Sequence, residues 1–160
     1  MAGAERILEK LLMTDVFVNL LLGHLVGDFV LQPKNMAVKK GASNLTAVAH
    51  VSIYTAAVAL FTLDYHNFDV TKYYLWMLAI FIPHYLIDRY SLADKWLQFI
   101  NGRSLEDFLH NGHGDIPFAY ESDFYRNYYV LRGGFTSLVY AVTDNTFHLL
   151  CLWFGYKLIF

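Results

Sequence analysis

Hydrophobic and polar positions divide the chain into four long apolar runs separated by three unequal connections. The clearest run, Leu45–Leu63 (LTAVAHVSIYTAAVALFTL), contains no Asp, Glu, Lys or Arg. Val16–Leu31 contains one formal charge, Asp28; Tyr73–Ile87 contains none before Asp88; Phe135–Tyr156 contains only Asp144. A membrane-crossing helix needs about 20 predominantly apolar residues. The pattern therefore predicts an all-α fold: an integral membrane four-helix bundle, one membrane domain over 1–160, with spans near 14–32, 45–63, 72–90 and 135–156. A soluble bundle of long buried helices is the competing reading, but four such runs exceed what a soluble core of this size normally needs.

The connections differ in character. Pro33–Asn44 (PKNMAVKKGASN) reads as a short basic loop and Asp64–Lys72 as a short turn. Ser91–Gly134 is too long for a plain loop. Within it Trp96, Leu97, Phe99 and Ile100 are interleaved with Asp94, Lys95 and Gln98, which predicts an interfacial helix in this third connection. Ser104 followed by Asp107 predicts a capped second helix. Ile7, Leu8, Leu11 and Leu12 share one helical face, so the N-terminus is expected at the interface as well. Lysine and arginine counts set the orientation. Lys34, Lys39, Lys40, Arg89, Lys95, Arg103, Arg126 and Arg132 fall on one side, against Arg6, Lys10, Lys72 and Lys157 on the other. Loops 33–44 and 91–134 are therefore expected in the cytoplasm, with both termini outside.

Composition sharpens this picture. Hydrophobic residues make up 56% and charged residues 16%, well below the roughly 25% charge of an average soluble domain. Aromatic residues reach 18%, which suits two membrane interfaces. A net charge of −2 gives no basis for nucleic-acid binding. The single cysteine, Cys151, excludes an internal disulfide and a cysteine metal motif. Glu5, Arg6, Glu9 and Lys10 precede the first apolar run and no small-residue cleavage site follows it, so no cleaved signal is expected.

The apolar runs carry an unexpected set of ionisable side chains: His24 and Asp28 in the first, His50 in the second, His84 and Asp88 in the third, Asp144 and His148 in the fourth. Such groups are expensive in hydrocarbon and must face the bundle interior and find partners. Each His/Asp pair is spaced i, i+4, which places both side chains on one helical face. At 1.5 Å rise per residue, Asp28 lies about 6 Å in from Gln32, His50 about 6 Å in from Thr46, and His84 about 9 Å in from Tyr90. Asp144 lies about 14 Å and His148 about 20 Å in from Phe135, so antiparallel neighbours bring most of the set into one layer near the basic loops. Imidazole with carboxylate suits a divalent transition metal, Zn or Mn first among them. His24, Asp28, His50, His84, Asp88, Asp144 and His148 are the candidate ligands. Asp28, Asp88 and Asp144 are the candidate catalytic carboxylates, and the group is large enough for two ions. The alternatives are a proton or ion pathway and a purely structural set of interhelical hydrogen bonds. His66, His110 and His113 fall in connections and read as solvated; HNGHGD (His110–Asp115) reads as a flexible turn.

Four segments together carry a family resemblance: HLVGDFVLQ at His24–Gln32, His50, HYLID at His84–Asp88 and DNTFH at Asp144–His148. On these the chain resembles the uncharacterised bacterial and phage membrane proteins grouped as domain-of-unknown-function family 3307. Members often have Asp-Gln before the last histidine, where this chain has Asp144-Asn145. The resemblance implies a small multi-pass protein of the bacterial inner (cytoplasmic) membrane and implies no reaction.

Three functions fit these residues. One is a metal-dependent hydrolase acting on a lipid-linked phosphate, with Lys34 and Arg89 holding the phosphate. Another is a non-enzymatic membrane protein that binds a protein partner through 91–134, or a second copy of itself. A third is a proton or metal transporter. No serine or cysteine nucleophile motif and no glycine-rich phosphate loop is present.

Overall fold

The computed structural model describes residues 15–63, 69–102 and 123–160. The described residues form helices and no strand. Helix α1 is described from residue 15 and is α-helical to residue 25; it ends in a π-helical turn, Val26–Val30. The others are α2 (Lys34–Lys39), α3 (Asn44–Phe61), α4 (Val70–Tyr90), α5 (Leu92–Asn101) and α6 (Asp123–Ile159). By length and composition, α3 is the one helix among the described residues that is long and apolar enough to cross a membrane. The expected first run coincides with a helix described over residues 15–30 only. The third run lies in a helix that also carries Lys72, Asp88 and Arg89.

Two boundaries differ from the hydropathy reading. The segment 33–44 holds the short helix α2 rather than loop alone. Its residues KNMAVK are mostly good helix formers, and Pro33, with φ −64°, precedes them in extended backbone. Helix α6 begins at Asp123, well before the apolar run at 135. The expected N-terminal interfacial face, the Ser104 cap, His66 and HNGHGD lie outside the described residues.

The chain divides into two compact units, Met1–Tyr90 with His148–Phe160, and Ser91–Phe147. In the first, the core-facing positions climb each helix in steps of four, the spacing that keeps side chains on one face. Val16, Leu20, His24 and Asp28 follow one another on α1; Val58, Tyr54 and His50 on α3; Trp76, Ile80, His84 and Asp88 on α4; Tyr156, Leu152 and His148 on α6. The apolar members form one buried core. Trp76 donates its indole N–H to Thr62 Oγ1 at 3.0 Å, closing the end of that core opposite the polar residues. Ser43 accepts from the Thr46 amide to start α3, and Asp69 accepts from the Lys72 amide to start α4.

Helix α1 can approach α3 closely because Gly23 and Gly27 face it. A Cβ on Gly23 would stand 2.8 Å from Val58 Cα, and one on Gly27 would stand 2.7 Å from the Tyr54 ring. Small residues four apart are the usual means of bringing helix backbones together. Gly27→Ala is therefore expected to lower the thermal unfolding midpoint of the purified protein, at a cost of about 1–3 kcal/mol from overpacking. An unchanged midpoint would show that α1 yields freely at this point.

Beside its apolar core this unit buries a layer of histidines while its outer faces carry exposed apolar side chains. His24, His50, His84 and His148 are at most 2% exposed. Phe29, Leu60, Leu78, Leu86 and Phe154, on the outer faces of the same helices, are 41–66% exposed. In the second unit, α5 buries Ala93 and Leu97 while leaving Trp96, Phe99 and Ile100 exposed. Trp96 meets Phe147 edge-on, with ring centroids 6.1 Å apart.

Candidate metal centre

Asp28 reaches the centre from the π-helical turn. There Leu31 donates to the Val26 carbonyl at 2.9 Å, an i→i+5 bond. Turns of this kind recur at functional sites because the widened backbone re-aims a side chain. The Asp28 side chain is 9% exposed. His50 comes from the first half of α3; His84 and Asp88 are one turn apart near the end of α4; His148 comes from α6.

Four donor atoms converge tightly. His50 Nε2 lies 3.1 Å from Asp28 Oδ1, 3.1 Å from Asp88 Oδ2 and 3.1 Å from His84 Nε2. His84 Nε2 lies 3.1 Å from Asp88 Oδ2 and 3.4 Å from Asp28 Oδ1. One imidazole N–H can donate well to only one of these neighbours. A divalent cation can satisfy all four donors at once. With ligand distances of about 2.0–2.1 Å, a tetrahedral ion separates its ligands by about 3.3 Å. The distances observed bracket that value, and together the four atoms form a group that could hold a metal ion.

A second set adjoins the first through Asp28. Its Oδ2 lies 3.3 Å from His24 Nδ1 and 3.9 Å from His148 Nδ1, and these residues form another candidate ligand group. Asp144 belongs to the second unit, one turn before His148 in the sequence of α6, and is half-buried.

Three residues that the hydropathy reading did not place in the site surround it. The Gln32 amide nitrogen lies 3.1 Å from both ring nitrogens of His50. Tyr54 stacks on His84 with ring centroids 3.6 Å apart, and its hydroxyl is 3.0 Å from His24 Nδ1. Lys40 Nζ lies 2.9 Å from Asp88 Oδ1. Gln32 ends the quoted HLVGDFVLQ segment, and Tyr54 is one turn from His50, so both had a signal in the sequence. Lys40 had only its charge. The other two cations considered for phosphate are placed differently. Arg89 donates from Nε to Asn44 Oδ1 and from Nη1 to the Gly41 carbonyl, tying α4 to the start of α3. Lys34 is exposed at the start of α2.

With the imidazoles in the neutral form that ligates a metal, two buried carboxylates beside one ammonium group would leave an excess of negative charge. Burying such an excess is costly unless a cation accompanies it. The donor chemistry and the charge therefore fit a divalent ion.

A family model described as "Protein of unknown function (DUF3307)" matches residues 16–111. The chain belongs to the DUF3307 family. No curated protein and no solved structure matches it. The segment typical of DUF3307 proteins contains all four residues of the tight donor set, whereas His148 lies beyond it.

Proposed function

We propose that this DUF3307 protein is a multi-pass membrane protein whose helices hold a divalent metal centre, Zn or Mn, and that it hydrolyses a lipid-linked phosphate. The observation that carries the metal is the convergence of His50, His84, Asp28 and Asp88 on distances of 3.1–3.4 Å. The membrane reading is supported by the exposed Leu and Phe on the outer faces of the first unit, set against its buried His and Asp layer, which suit lipid better than water. The exposed Trp96, Phe99 and Ile100 of α5 suit the interface. The family resemblance favours the inner bacterial membrane, and the distribution of Lys and Arg favours α2 and the 91–134 segment toward the cytoplasm.

The substrate class follows from what adjoins the centre. Asp28 and Asp88 lie near the ends of α1 and α4, beside the α2–α3 connection that supplies Lys40. In a bilayer this end would face the headgroup layer. A bound divalent cation supplies Lewis acidity toward a phosphoryl oxygen. Lys40, at 18% side-chain exposure, is placed to exchange Asp88 for an anionic substrate oxygen. Asp88 in turn keeps Oδ2 among the metal donors.

The test is metal analysis of protein purified in detergent, coupled to phosphate release from a polyprenyl or diacylglycerol phosphate in mixed micelles. The expected result is a bound transition metal, activity lost on chelation, and recovery with Zn or Mn. A preparation that contains no transition metal and takes up none on titration would sink the reading.

A further inference from the structure

We infer that Asp28 bridges two divalent cations, so that the centre is dinuclear. This rests on the metal reading above and extends it. The two oxygens of Asp28 face different imidazole pairs. Oδ1 faces His50 and His84, at 3.1 and 3.4 Å. Oδ2 faces His24 and His148, at 3.3 and 3.9 Å. A single imidazole N–H would suffice to satisfy the second oxygen of a carboxylate that completed one tetrahedral site; here two imidazole nitrogens from different helices face it, and the three residues form a second group that could hold an ion.

The two sites differ in chemistry. The first has four protein donors, which saturate a tetrahedral ion; the second has three, the number that leaves a position open for water or substrate. The looser distances of the second set agree with an open site. His148 Nε2 also lies 3.7 Å from Asp88 Oδ1, the oxygen that Lys40 contacts. The open site and the ammonium group thus meet at Asp88, which assigns the phosphoryl group to the side of His148. The Tyr54 hydroxyl shares His24 Nδ1, so occupation of the second site exchanges one hydrogen bond for a coordinate bond. Paired cations about 3.5–4 Å apart are a common device for phosphoryl transfer.

The experiment loads the purified full chain with Mn(II) and measures metal per protomer together with the electron paramagnetic resonance spectrum. The expected result is two ions per chain with a spin-coupled signal. His148→Ala and His148→Gln should each bind one ion and show the signal of an isolated Mn(II); the second variant preserves bulk in case the first fails to fold. One uncoupled ion in the parent, unchanged in either variant, overturns the bridge and leaves the mononuclear hydrolase standing. No bound Mn(II) in the parent, and none with Zn, overturns both.

Discussion

Replacing Asp28 by asparagine is expected to abolish metal binding and phosphate release together while the helices remain assembled. Asp28 contributes an oxygen to the tight donor set with His50, His84 and Asp88 and to the set with His24 and His148, so its loss touches both. Asparagine keeps the shape but removes the charge and replaces one oxygen with an NH2 group, which cannot coordinate. Changes to residues that only orient a ligand typically cost about 10–100-fold in metal affinity or activity. Removing a ligand itself should therefore exceed about a hundredfold in both. Stability should move the other way or little, because the substitution relieves part of the buried negative charge in the metal-free protein. The measurements are metal content, initial rate and thermal midpoint on the same preparation. Unchanged metal content with a large drop in the midpoint would mean that the cluster is a structural lock.

Much of this centre was legible in the sequence because two periodicities act on it at once. The apolar runs mark helices, and the i, i+4 spacing of His24 with Asp28 and of His84 with Asp88 fixes the face each pair shares. Antiparallel order then brings His50 and His148 to the same level, since α3 and α6 run opposite to α1 and α4. Other features have no one-dimensional trace. Nothing in VGDFV distinguishes a π-helical turn from an α-helical one, although the difference aims Asp28. Charge counting assigns Lys40 to a connection but cannot show that its side chain returns to Asp88. The sequence reading put Arg89 among the cations for phosphate and could not show that its guanidinium bonds Asn44 and Gly41. Hydropathy also marked four runs where length and composition single out α3 alone among the described helices. Which apolar side chains of the other helices face outward, such as Phe29, Leu78 and Phe154, is visible only in three dimensions.

Tyr54→Ala is expected to produce the largest loss of stability of any single truncation at the centre. The side chain is 1% exposed and lies among the rings of His24, His50, His84 and His148. Its ring stacks on His84 at 3.6 Å, lies within 6.2–6.4 Å of the His50 and His148 rings, and fills the space that Gly27 leaves open. Truncating a buried aromatic residue typically costs about 3–5 kcal/mol, and near this chain length each kcal/mol lowers the midpoint by roughly 2–4 °C. Tyr54→Phe separates packing from hydrogen bonding. It keeps the ring and loses only the hydroxyl at 3.0 Å from His24 Nδ1, a loss of about 0.5–1.5 kcal/mol. If Tyr54 acts only by packing, Tyr54→Phe should match the parent in metal affinity and Tyr54→Ala should lose it along with stability. If the hydroxyl also competes with the second ion for His24 Nδ1, Tyr54→Phe should tighten that ion selectively at nearly unchanged midpoint. A Tyr54→Ala protein as stable as the parent would show that the stacked ring contributes nothing, and the account of how the apolar core supports the polar layer would have to be abandoned.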